Sequence, residues 1–116
     1  MWYQTTQGQR RLRAETEQMR RNTSFSLNQD DEKGKLAWKG HLGGHDILLE
    51  YSNNHPCEKM RVYVSNPQLP SVNHHIHSDG TVCYMKDQEW SPDWTAYTVY
   101  LTIIRFLDDF HRGRMT

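Results

Sequence analysis

The stretch of this chain with most capacity for chemistry is His75-Ile76-His77-Ser78-Asp79-Gly80-Thr81-Val82-Cys83-Tyr84, with Glu89-Trp90-Ser91-Pro92 close behind. An Asp-Gly turn precedes a single cysteine. A thiol presented in this way is a nucleophile once deprotonated, and a free cysteine with a pKa of ~8.5 needs local help near neutral pH. Backbone N–H groups of a turn, or a nearby imidazole, supply such help. His75 and His77 are candidates for that role, or for donating to the oxyanion of a tetrahedral intermediate. The plain alternative for Cys83 is a small buried core residue. Its position after Asp79-Gly80, in a segment without apolar periodicity, argues against that. A zinc site is a second alternative: His74, His75, His77 and Cys83, with His55 and Cys57 upstream, are suitable ligand types. These candidates form no Cys-x-x-Cys or His-x-x-x-His pair among themselves, so no metal is expected. Cys57 has no motif around it and reads as a spectator. Asp79 and Gly80 serve the turn. Trp90 reads as a packing wall under the loop, and Trp38 as a core anchor. Asp87 and Glu89 are loop charges that could orient an incoming amine.

The elements around this stretch follow from periodicity. Residues 8 to 22 predict a helix with Leu12, Thr16 and Met19 on one face. Phe25 and Leu27 alternate with serines, and 28–34 is polar and turn-like. Leu36, Trp38 and Leu42 predict a half-buried strand, Gly43-Gly44 a hairpin turn, and Ile47, Leu49 and Tyr51 a second strand. Met60, Val62 and Val64 predict another. After the irregular cysteine segment, Ser91 or Thr95 caps a helix with Ala96, Val99, Ile103, Phe106 and Phe110 as its apolar stripe, Tyr100 and Leu107 beside it. The expectation is an α+β fold: helix, antiparallel meander, active-site loop, helix.

That order, together with His75-Ile76-His77, Asp79-Gly80, Val82-Cys83-Tyr84 and Trp90-Ser91-Pro92, resembles the ubiquitin-conjugating (UBC-like) superfamily over residues 8 to 110. Leu36-Ala37-Trp38-Lys39-Gly40 resembles that family's second strand. The resemblance implies a thioester at Cys83 with the C-terminal carboxyl of a protein, passed on to an amine. His75 stands where the family usually carries an asparagine thought to support the oxyanion. The family's later helices are missing, which implies a minimal form. Trp38-Lys39-Gly40, His75 to Gly80, Cys83 and Glu89-Trp90 are most similar to the short bacterial conjugating-enzyme-like proteins of CBASS antiphage operons. The implied partner is then a cGAS-like nucleotidyltransferase, joined through its C-terminus. A ubiquitin-like modifier pathway, with an activating enzyme, is the neighbouring expectation, and a non-catalytic binding module of the same fold is a third. In this family the basic first helix meets the activating enzyme, so Arg10, Arg11 and Arg13 are candidate partner-binding residues; a solvated face is the plain reading.

Composition sets the outer limits. The chain has 116 residues, 14 basic and 14 acidic, and a formal net charge of zero. One small domain is expected over 1–116. Neutral balance disfavours a dedicated nucleic-acid partner. No apolar run is long enough to cross a bilayer, and Met1-Trp2-Tyr3-Gln4 does not start a signal peptide, so no membrane association and a cytoplasmic location are expected. Two cysteines in that compartment read as free thiols. No cofactor is implied for this chain, since an activating enzyme would consume any ATP.

Overall fold

The first helix, α1 (Thr6–Asn22), begins where Thr5 leaves extended backbone and its side chain accepts the Gly8 N–H at 2.9 Å. That bond satisfies one of the four amides a helix start leaves unpaired. The computed structural model describes residues 1–30 and 35–114. The buried stripe of α1 is Gly8, Glu15 and Met19, while Leu12 and Thr16 are only half-buried. This corrects the expected face. The stripe includes a carboxylate, which an apolar count passes over.

Four strands follow: β1 (Ser26–Asp30), β2 (Lys35–Leu42), β3 (His45–Glu50) and β4 (Arg61–Ser65), all antiparallel in the order β1-β2-β3-β4. The turn expected over 28–34 lies partly outside the described residues, and Asn28–Asp30 belong to β1. Register aligns Leu27, Trp38, Leu49 and Val62 across the sheet, and beside them Gly40, Ile47 and Val64. With a side-chain period of two, these residues share the core face. Gly40 is required there by space. A Cβ at this position would lie 2.2 Å from the Phe25 ring.

The last helix, α2 (Ala96–His111), is capped by Thr95, whose hydroxyl accepts from the Thr98 N–H at 3.3 Å. Ala96, Val99, Ile103, Phe106 and Leu107 are buried on the sheet side, and Phe110 is half-buried. Helix α2 packs on β3, and α1 packs on α2. Helix, four-stranded antiparallel sheet and helix make the α+β arrangement that the sequence implied. No helix among the described residues is long and apolar enough to cross a membrane.

One carboxylate ties these parts together. Glu15 is 1% exposed and accepts four hydrogen bonds. Oε1 takes the Tyr51 hydroxyl at 3.1 Å and the Ala96 N–H at 2.7 Å. Oε2 takes Arg11 Nε at 2.7 Å and His55 Nε2 at 2.6 Å. Trp38 Nε1 donates to the Tyr51 hydroxyl at 3.0 Å, and Arg11 also reaches the Trp94 carbonyl at 2.6 Å. Burial alone would raise the Glu15 carboxyl. The His55 hydrogen bond and charge, then Arg11 and the Ala96 amide, outweigh it and hold the carboxyl below its ordinary 4.5. Burial first, then the Glu15 charge, push the Tyr51 hydroxyl well above its ordinary value, so it stays a donor.

Breaking a buried ion pair by removing one partner typically costs about 3–5 kcal/mol, because the other charge is stranded. Glu15→Gln and His55→Ala are each predicted to lose stability of about that size in urea unfolding. Because the native carboxyl is depressed, its contribution is complete above 4.5 and drains away as pH falls through the lower native value. The stability gap between wild type and Glu15→Gln should therefore shrink on acidification. A gap that stays constant from neutral pH to well below 4.5 would refute this account.

Candidate active site

The cysteine segment is stitched to the outer edge of β4. Val64 N–H donates to the Gly80 carbonyl at 2.9 Å and Val82 N–H to the Val62 carbonyl at 3.0 Å. The segment then folds on itself. Cys83 N–H donates to the His75 carbonyl at 2.8 Å, and His77 N–H to the Thr81 carbonyl at 3.0 Å, with Ile76 bridged to Val82. Ile76 and Val82 are buried. Alternation therefore turns His75, His77, Thr81 and Cys83 to the other face. The turn between the two arms is closed by Gly80 N–H on the His77 carbonyl at 3.2 Å, and Gly80 has φ +91°, a conformation side chains resist. The Asp79 carboxylate accepts from the Thr81 N–H at 2.9 Å and the Thr81 hydroxyl at 2.6 Å; these bonds hold it below its ordinary value.

Cys83 is half-buried on the wall of a cleft of about 630 Å³. His77, Thr81, Lys59, Arg61, Asp87 and Trp90 are among the other residues that line it. Cys83 Sγ donates to the Met85 carbonyl at 3.5 Å. Tyr84 next to it donates to the Met60 carbonyl at 2.7 Å; burial first, then Asp87 and Cys83, push its hydroxyl far up. A thiol with one weak, long hydrogen bond and an open side is accessible to an electrophile.

The structure brings some of the candidate residues to Cys83 and leaves others apart. His77 lines the cleft with Cys83. His75 pairs with Cys83 through the backbone, and its ring lies 3.9 Å from that of His74, outside the cleft lining. Trp90 forms part of the cleft wall and donates to the Pro56 carbonyl at 2.8 Å. Cys57, exposed, lines the same cleft. Arg10 and Arg13 are exposed on α1, far along the chain from the cleft residues, whereas Arg11 is held by Glu15 and Trp94. His55, considered as a ligand type, is instead buried against Glu15. Among the described residues no three His, Cys, Asp or Glu side chains converge to hold a metal ion.

Two features of the site were not read from sequence. Lys59, unread in the sequence, lines the cleft from the segment before β4 and pairs at 3.0 Å with Asp87, which the sequence offered only as a loop charge able to orient an amine. The pairing of residues 80–82 with β4 was also missed. Ile76 and Val82 carried the signal, as the apolar residues on the two arms of that stretch.

No family model matches the chain. The chain is similar to the probable ubiquitin-conjugating enzyme E2 W-A of Danio rerio, at 29% identity over 69 residues, covering 59% of this chain and 45% of that relative. The matched stretch thus spans less than half the length of the curated relative. The likeness is to a ubiquitin-conjugating enzyme over part of its length, and the α+β arrangement of helix, meander and helix is consistent with it.

Proposed function

We propose that this protein is a UBC-like conjugating transferase. Cys83 accepts the C-terminal acyl group of a partner protein as a thioester and passes it to an amine. The observation that carries this reading is the presentation of Cys83: backbone hydrogen bonds hold its segment rigidly against β4, while the thiol stays open to a cleft that also contains an imidazole. Attack by the thiolate on an activated carboxyl forms a tetrahedral intermediate, whose collapse leaves the acyl group on sulfur. An amine then repeats the sequence and releases the thiol. Donors aimed at the oxyanion accelerate both halves. The likeness to a conjugating enzyme, partial as it is, supports the same chemistry.

The finer placement rests on residue pattern. Trp38-Lys39-Gly40, His75 to Gly80 and Glu89-Trp90 support a bacterial CBASS protein whose partner is a cGAS-like nucleotidyltransferase, working in the cytoplasm where thiols stay reduced. A bacterial ubiquitin-like modifier is the other donor to be tried. Incubated with activated donor, wild type should give a DTT-sensitive higher-mass band. Cys83→Ala should lose it while keeping its stability within about 1 kcal/mol, because a cleft thiol contributes little packing. Cys57→Ala should keep the band. An adduct that requires Cys57 and not Cys83 would overturn the assignment.

His77 shares the cleft with the thiol, and we assign it the oxyanion donor's role; His75 positions the loop. Losing one such donor typically costs about 10²–10³ in rate. His77→Ala should slow single-turnover transfer by about that factor at unchanged melting temperature. His75→Ala should spare the rate, because its hydrogen bonds to Cys83 and Asn73 run through the backbone and survive the substitution. The reverse pattern hands the role to His75.

Arg10 and Arg13 are the exposed charges of α1 that we propose meet an acidic surface of the activating partner. Arg11 is excluded from this test because reversing it would break the Glu15 cluster. Arg10→Glu with Arg13→Glu should slow association roughly tenfold at low salt, with the difference fading as salt screens it. Equal association rates at low salt would show that these arginines are merely solvated.

A further inference from the structure

Outside the cysteine cleft, two imidazoles from opposite ends of the fold meet. His45 opens β3 and is 4% exposed; His111 is the last residue of α2 and is exposed. Their Nε2 atoms lie 2.9 Å apart. His45 Nδ1 lies 2.7 Å from the Pro67 carbonyl oxygen, which can only accept, so Nδ1 carries a proton. In the neutral ring this leaves His45 Nε2 as a bare lone pair aimed at His111. The contact between the rings then needs one proton, which His111 Nε2 supplies. Fixing the far nitrogen of an imidazole on a backbone carbonyl is also how metal-ligating histidines are oriented and made more basic. Neither histidine was among the zinc ligand types weighed from the sequence, and 66 residues separate them.

We propose that His45 and His111 form a two-histidine site for a divalent transition cation of the zinc, nickel and copper class, which pins the end of α2 to the start of β3. Imidazole suits these ions, whereas magnesium and calcium favour oxygen ligands. With metal–nitrogen bonds of about 2.0–2.1 Å, nitrogens 2.9 Å apart subtend about 90° at the ion, the cis angle of a tetragonal site. Tetrahedral zinc needs the nitrogens about 0.5 Å farther apart. His45 is held by its burial and by Pro67, so that movement falls on the exposed ring of His111. As His111 Nε2 takes the metal, its proton moves to the other ring nitrogen. The neighbouring charges permit a cation. Arg112 and Arg114 are paired with Asp108 and Asp109, and the carbonyl end of α2 favours positive charge. Asp46, next to His45, is engaged by His41 and Asn66. Among the described residues no third His, Cys, Asp or Glu joins the pair, so water completes the shell of a bound ion. A metal held only when both histidines are in their native places stabilises the folded chain over the unfolded one. The site is independent of the reading of Cys83.

The test titrates zinc chloride, and separately nickel chloride, into the chelator-treated full chain near neutral pH by isothermal calorimetry, and records thermal unfolding with and without metal. One equivalent should bind, and at metal about tenfold above the dissociation constant the melting temperature should rise by roughly 5 °C. His111→Gln keeps an N–H for the His45 lone pair and lies at an exposed helix end, so the fold is retained. It should weaken binding at least about tenfold, as loss of a metal contact does, and lose the temperature rise. His45→Gln should match it. Two controls exclude other ligands. His74→Gln removes one ring of the His74–His75 pair, and Cys57→Ala with Cys83→Ala removes both thiols; each should bind like wild type. No binding of either metal overturns the proposal and leaves the pair as a hydrogen bond alone. Binding undiminished in His111→Gln, or lost in either control, overturns it as well.

Discussion

A carboxylate removed from water must have its lone pairs satisfied, and the rest of this fold is arranged around meeting that requirement at Glu15. The four donors come from different parts of the chain: Arg11 on α1 itself, the Tyr51 hydroxyl and His55 from the segment after β3, and the Ala96 amide at the start of α2. Such a cluster is intolerant of partial formation, since any missing donor leaves a charge uncompensated at low dielectric. It fixes the first helix, the end of the meander and the last helix relative to one another. The His55 ring is enclosed by the rings of Trp2, Tyr51 and Trp90, with centroids 4.7, 4.5 and 6.4 Å away. Its Nδ1 has no hydrogen-bond partner among the described residues.

The consequences reach the cleft. His55 stands in the short segment that carries Pro56, Cys57 and Lys59 past the cysteine loop. The Pro56 carbonyl accepts from Trp90, which forms one wall. Anchoring this segment at Glu15 sets where Lys59 enters. On the opposite side, the outer edge of β4 supplies the backbone groups that an edge strand otherwise leaves unpaired, and residues 80–82 use them. The cysteine loop thus has a rigid backbone and an accessible side chain. Nucleophilic chemistry benefits from both, because a fixed sulfur loses little freedom on reaching its transition state.

Much of the framework was legible in the sequence because its causes are local. Alternation in β2 and β3, the Gly43-Gly44 turn and the apolar stripe of α2 depend on neighbours one to four residues apart, and the structure contains each of them. The Asp79-Gly80 turn and the cysteine after it belong to the same class. Glu15, His55 and Arg11 did not announce themselves. Sequence weighed His55 only as a ligand type and Arg11 only as a partner-binding charge; Glu15 and His55 are buried and Arg11 half-buried through partners 36 to 83 residues distant, Tyr51 for Glu15 and Trp94 for Arg11. The Lys59–Asp87 pair and the docking of residues 80–82 on β4 likewise join segments separated by loops. Residue types and their periodicity determined which elements form and where the cysteine segment falls between them. Long-range packing alone decided which charges are buried, which histidine shares the cleft with Cys83, and that a lysine stands beside it, because those depend on where separate elements meet.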